Sequence, residues 1–250
     1  MKVYEIPISQ QQLDSIPPDE RLFFIQIGHL ANELSTLNRL LLFVSNTTGT
    51  TEVERRARNA QALLLVRLCS GKLFEGWQML QRDYFGSKLS KEYDSLLDES
   101  GKNSLNEIKR YFSRNNLIKD IRDNFAFHYS SDDLQNQLQC TKDTGTLYIY
   151  LGYAHGNSFY SFADVLVGSA MLSKVPGADP QQAMDALFAD PINGIKWFLD
   201  FIGSCVIILV EKYLGTTLKA LSANTIEVPN TKKWENVHVP FFLTETNEDS

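Results

Sequence analysis

Residues 19–44 read DERLFFIQIGHLANELSTLNRLLLFV, and their spacing decides the fold class. Apolar side chains recur at Leu22-Phe23, Ile27, Leu30, Leu34, Leu37 and Leu41. Steps of three and four keep them on one face of a 3.6-residue helix. Pro17-Pro18 precede the stretch and the polar, glycine-containing SNTTGT follows it, so both ends of a long helix are marked. A helix with one long apolar stripe must bury it against other elements. The chain next to it supplies more helices.

Thr51 and Glu54 match a capping box and open a second long helix to about Tyr84. Gly71 and Gly76 within it would let it bend, or let another backbone approach closely. A shorter helix is expected around 90–99. Ser104 and Glu107 form another capping box, starting a helix that ends near Arg114-Asn-Asn116. Residues 117–129 read as the next helix, and Ser130-Ser131-Asp132-Asp133 breaks it before a further short one. The period then changes. Thr146-Leu-Tyr-Ile-Tyr-Leu151 alternates in the rhythm of a strand, Ala154-His-Gly-Asn157 is a turn, and 158–162 returns as its partner. Helical signals resume near Ala163. Asp179-Pro180 and Asp190-Pro191 each place a capping aspartate before a proline suited to a first helical position, and the last long helix runs to about Leu214. The fold class expected is mainly α: an antiparallel multi-helix bundle with a small β-hairpin insertion. It forms one domain over 1–250, with the hairpin at about 144–163 and an irregular tail from about 215. Trp234 and Phe241-Phe242 are expected to dock part of that tail on the body.

With 43% hydrophobic and 22% charged residues, the composition is that of a globular protein. The net charge of −6 argues against a protein that coats nucleic acid by general basicity, but not against a local basic cleft. The first residues, MKVYEIPISQQQ, lack a charged stretch leading into an apolar run, so no secretory signal is expected. The apolar run before Glu211 is short of the roughly 20 residues that span a bilayer, so a buried core helix is expected and no membrane partner. Cys69, Cys140 and Cys205 are few and widely spaced, which fits the reduced cytoplasm. His29, His128, His155 and His238 have no zinc-site spacing, and no metal or other cofactor is expected.

Gly-rich nucleotide loops, the HExxH zinc motif, the GxSxG elbow and kinase signatures are all absent from the sequence. Asp132-Asp133 and Asp98-Glu99 read as solvated helix ends, and Arg55-Arg56-Ala-Arg58, mixed with Glu52 and Glu54, as a charged helix face. One stretch remains, Ile121 to Tyr129, IRDNFAFHY. On a helix His128 shares the stripe Ile118–Ile121–Phe125, so a histidine packed at the core margin with Arg122 as a solvated neighbour is one reading. Six helical steps leave Arg122 and His128 roughly 120° apart and about 9 Å along the axis. One protomer does not easily converge them on a single atom, whereas two copies about a two-fold axis can.

Arg122-Asp123-Asn-Phe-Ala-Phe-His128 resembles the signature of the HEPN superfamily: an arginine, a polar follower, then a histidine after four to six intervening residues. Five intervene here, and Asp123 is the follower. Phe127 and Tyr129 flank the histidine as in abortive-infection-type members, and long helices precede the motif. The resemblance implies metal-independent RNA cleavage in a homodimer. RNA carries its own nucleophile, the 2′-hydroxyl. His128 would then be the acid or base, Arg122 would bind the scissile phosphate, and Asp123 would orient or tune one of the two. Asn124 and Tyr129 are candidates for holding substrate. The same resemblance implies a toxin or phage-defence role, with an antitoxin or regulatory protein as partner. A catalytically inactive helical dimer, serving as a partner-binding or RNA-binding module, is the alternative. Residues 51–82 and 101–128 each hold six Lys/Arg against three Asp/Glu, net +3 each. Facing one another, they would form a basic cleft for a phosphate backbone.

Overall fold

The computed structural model describes residues 1–46, 49–127, 130–140, 146–215 and 225–244. The helix read from 19–44 is α2 (Pro18–Asn46), with Asp19 and Glu20 in its first turn, where the helix dipole favours acids. Phe23, Ile27, Leu30, Leu34, Leu41 and Val44 are buried, so the stripe is the buried face; Leu22 points outward. Before it come a short strand, β1 (Lys2–Tyr4), and α1 (Gln10–Ser15), which is opened by a capping box between Ser9 and Gln12. After it comes α3 (Glu52–Met79). Thr51 and Glu54 cap α3 reciprocally: Glu54 N–H donates to Thr51 Oγ1 and Thr51 N–H to Glu54 Oε2. Hydrogen bonds from Thr51 and Thr50 hold the Glu54 carboxyl down at about 2. α3 runs into a π-helical turn, Leu80–Tyr84.

Next come α4 (Lys88–Leu96) and α5 (Glu99–Phe112). The box expected at Ser104 does not open α5. Asp98 does, accepting from Gly101 N–H at 2.7 Å, and Ser104 is a buried residue inside the helix. Then follow α6 (Leu117–Ile121), α7 (Ser131–Cys140), α8 (Ser161–Leu172) and α9 (Pro180–Leu214). Asp179 caps α9, accepting from Gln182 N–H at 2.9 Å. Asp190-Pro191 does not begin another helix; α9 runs through Pro191. A proline in this place forfeits a hydrogen bond, but buried Leu187 and Ile195 hold the helix on either side of it. By length and composition α9 could cross a bilayer; half of its apolar stretch is buried within the protein.

The fold is mainly α, a helical bundle with a small antiparallel sheet. That sheet pairs β1 with β2 (Thr225–Glu227) in the register Val3↔Ile226. Among the described residues of the expected hairpin, 144–163, the pairing is a single antiparallel bridge. Tyr150 N–H donates to the Phe159 carbonyl at 2.8 Å, and Phe159 N–H returns to Tyr150 at 2.7 Å. The returning arm has only residues 158–160 before α8 begins, too short for a ladder. A 3-10 turn, His155–Asn157, joins the two sides. Residues 141–145, where that hairpin was expected to begin, lie outside the described residues.

The chain forms two compact units, and α2, α3 and α9 contribute residues to both. The first comprises 1–36, 72–114 and 193–232. Its core is aromatic: Phe23 stacks on Tyr84, Phe201 meets Tyr84 edge-on, and Phe112 joins Trp77 to Phe198. Tyr93 donates to Glu20 at 2.9 Å, and Lys212 on α9 bridges Glu20 and Glu92. The second comprises 37–71, 115–192 and 233–250. Leu41, Val44, Val66, Ile121, Phe125, Ala170, Met171 and Leu187 form its main core. A smaller cluster of Ala57, Ala60 and Phe159 is covered by Phe241 and Phe242, so this part of the tail docks as expected. Trp234 is half exposed, and its carbonyl accepts from Asn46 Nδ2 at 3.0 Å.

Candidate functional site

The motif stretch is built from α6 outward. Asn116 caps the helix, its Oδ1 accepting from Lys119 N–H at 2.9 Å. Ile118, Ile121 and Phe125 are buried as the spacing predicts and anchor the stretch in the core of the second unit. The α-helix expected over 117–129 is not continuous. At Arg122 it widens into a π-helical turn, Arg122–Ala126, and Phe127 leaves the helix at φ −130°, ψ 2°. Such widened turns occur mostly as single insertions, frequently at functional sites. Angular arithmetic for an α-helix therefore does not carry from Arg122 to the end of the motif. His128 and Tyr129 lie outside the described residues.

Two long-range contacts hold the turn in this form. Its last carbonyls lack partners within the helix, and Arg67 on α3 donates from Nη1 to the Phe125 carbonyl at 3.4 Å. The Phe127 ring lies on Gly71, where an added Cβ would stand 2.5 Å from Cε2. Only a residue without a side chain accepts the ring there. Lys174, beyond α8, sits 5.7 Å from the Phe125 ring centroid and pairs with Asp133 at 2.8 Å.

Arg122 and Asp123 are adjacent and paired, Nη1 donating to Oδ1 at 2.9 Å, and each is about one-third exposed. Lys119, one turn earlier, donates to the other carboxylate oxygen at 2.7 Å. The Lys119 hydrogen bond, followed by that of Arg122, outweighs partial burial and holds the Asp123 carboxyl below the usual carboxylate range. One carboxylate therefore sits between two cations. The guanidinium holds its N–H donors in a fixed planar fork, and Asp123 accepts from one arm of it. Asn124 turns back on its own helix, Nδ2 donating to the Asp120 carbonyl at 2.9 Å. Of the sequence candidates, Arg122 and Asp123 are thus brought together, and the amide donor of Asn124 is used within its helix.

Lys119, Arg67 and Gly71 complete this environment. Lys119 was readable as the i, i+4 partner of Asp123. Arg67 and Gly71, more than fifty residues away in sequence, carry no local signal that assigns them to the motif.

The other charged candidates are engaged in local ion pairs or helix caps. Glu52 accepts from both Arg55 and Arg56, Asp98 caps α5, and Asp132 and Asp133 lie in the first turn of α7. Burial pushes the Cys69 thiol up to about 12, and Cys205 also upward, which removes both as nucleophiles near neutral pH. Among the described residues no three His, Cys, Asp or Glu side chains gather to hold a metal ion. No protein-family model matches the chain, and comparisons with curated proteins and with solved structures return no match.

Proposed function

We propose that the protein is an endoribonuclease of the HEPN type, working without a metal in a homodimeric cleft. The observation that carries this reading is the seat of Arg122: a π-helical turn anchored by buried Phe125, with Asp123 fixing the guanidinium from one side. A pre-oriented, partly exposed fork of donors suits a phosphate that gains charge during reaction. Arg122 is the group proposed to bind the scissile phosphate, and Asp123 is its positioning residue. His128, six residues on, brings an imidazole, the side-chain type best suited to exchanging protons in catalysis.

The step is an internal transfer. The 2′-oxygen bonds to phosphorus while the bond from phosphorus to the 5′-oxygen breaks. The 2′-hydroxyl proton passes to a base, and the departing 5′-oxygen takes a proton from an acid. His128 is assigned to one of these proton transfers. A cyclic 2′,3′-phosphate and a 5′-hydroxyl result, with no external nucleophile. By the same resemblance the enzyme belongs to toxin or phage-defence systems of the cytoplasm and is held in check by a partner protein.

The test is RNA cleavage in the presence of a chelator. Wild-type protein should cut, and Arg122→Ala and His128→Ala should each abolish cutting while leaving a dimer by sedimentation. Cutting that persists in both variants removes the site assignment. RNA binding without cutting in the wild type selects the alternative, a non-cleaving RNA-binding module.

A further inference from the structure

Within the second unit, about one helical turn along α3 from Arg67, a cavity of about 170 Å³ opens between α3 and α8. It is well below the roughly 300–1,000 Å³ that hold drug-sized ligands, and its size suits one flat heterocycle. Three features mark it as built for something polar. Ser161, the first residue of α8, is 1% exposed, and its buried hydroxyl has no hydrogen-bond partner among the described residues. A buried hydroxyl left without a partner is costly and calls for an explanation. Asp164, one turn later on α8, is half-buried; burial pushes its carboxyl upward, and the charge of Arg67 works against that. No described group donates a hydrogen bond to this carboxylate. At Gly168 a Cβ would already stand 3.1 Å from Leu63 Cδ1, so the missing side chain keeps the space clear.

The rim of the cavity is aromatic. Phe159 lines it and stacks on Tyr150 with centroids 6.0 Å apart and planes 10° from parallel. Tyr150 stacks in turn on Tyr148 at 5.8 Å and 15°. The Arg56 guanidinium, also at the cavity, lies 5.1 Å from the Tyr148 ring centroid. Tyr148 and Tyr160 are exposed, and Tyr153 fully so. Exposed aromatic rings beside an arginine are one way in which single-stranded nucleic acid is held through its bases, and here Arg56 is steadied by its pairing with Glu52 at 2.9 Å.

We propose that this cavity holds one unpaired guanine of a single-stranded RNA, with exposed Tyr148 at the end of the ring ladder carrying the neighbouring base. The inference rests on the ribonuclease reading for its choice of RNA, and it assigns that enzyme a base-recognition subsite. The chemistry selects the base. A lone carboxylate takes two parallel donors, and guanine presents its N1–H and N2–H side by side. Adenine and cytosine set a single amino group beside a ring acceptor, and uracil flanks its N3–H with two carbonyl oxygens that the carboxylate repels. The Ser161 hydroxyl then donates to the guanine O6 or N7, and Asn59 closes the mouth.

The experiment uses 2′-O-methyl oligoribonucleotides, which lack the internal nucleophile, so binding is read apart from cleavage. Fluorescein-labelled uridine hexamers carrying one central guanine, adenine or cytosine are titrated with full-length protein and followed by anisotropy. The guanine oligomer should bind about tenfold more tightly than the others, and Asp164→Asn and Ser161→Leu should each erase that preference. If either variant fails to give a wild-type melting curve, Asn59→Ala at the exposed mouth takes its place and should weaken guanine binding alone. Equal affinity for all bases, or a preference that survives Asp164→Asn, overturns the proposal. So does a Tyr148→Ala/Tyr150→Ala variant that loses self-association but keeps its affinity for the oligomers, because the ladder is then a contact between copies. Guanine preference without RNA cleavage leaves the subsite standing and removes the ribonuclease; cleavage without base preference does the reverse.

Discussion

The ring of Phe127 rests on the bare backbone of Gly71, so that a Cβ at Gly71 would come within 2.5 Å of it. Phe127 immediately precedes His128 in sequence and is 58% exposed, so its ring can move aside when pushed. Gly71→Ala should therefore displace Phe127 without damaging the core. Alanine also suits a helix interior better than glycine by roughly 0.5–1 kcal/mol. The expected variant is as stable as wild type or slightly more so in a urea melt, yet cleaves RNA at least about tenfold more slowly, since small misplacements are costly to catalysis. Unchanged cleavage would separate Phe127 from the site.

Arg67 donates to the Phe125 carbonyl, and its positive charge acts on the Asp164 carboxyl. Arg67→Ala strips the turn of its donor and Asp164 of an opposing charge, with an expected cost of about 1–3 kcal/mol by urea denaturation. Arg67→Lys keeps the charge but loses the fork and should fall between the two. A lysine variant no better than alanine would show that geometry, not charge, is what Arg67 contributes.

Asp164 has the opposite pH signature to a paired carboxylate. Its folded-state pKa is raised by burial, so the folded protein holds the proton more tightly than the unfolded chain. Stability then falls as pH rises through the carboxylate range and stays lower at neutrality. Asp164→Asn removes that slope. The variant should gain in urea midpoint relative to wild type between about pH 4 and 7, while guanine discrimination is lost. A midpoint difference that does not change with pH would refute the burial argument.

Asp123 should behave the other way. Its folded pKa is depressed, chiefly by Lys119, so its contribution is present above the unfolded carboxylate pKa of about 3.9 and disappears as pH falls through the lower folded value. The group is one-third exposed, which screens the pairing and keeps the effect small. Asp123→Asn should leave the melting temperature at pH 7 nearly unchanged and reduce the loss of stability on acidification. Its cleavage defect should appear mainly in kcat, since the carboxylate orients Arg122 without touching substrate.

The sequence by itself determined the elements whose causes are local. The stripe from Phe23 to Leu41 made α2, the Thr51–Glu54 box opened α3, Asp179-Pro180 opened α9, and Ile118, Ile121 and Phe125 identified the buried face under the motif. Periodicity and capping act over three or four residues, so one chain segment suffices to read them. What only the tertiary structure decided depends on groups far apart in the chain. Buried neighbours carry α9 through Pro191. The edge partner of β1 is β2, over two hundred residues on. The motif helix opens into a π turn where Arg67 supplies the donor for a freed carbonyl and Gly71 the bed for an aromatic ring. Local propensity favours an unbroken α-helix from 117 to 129; contacts with α3 change its pitch just where Arg122 and Asp123 stand.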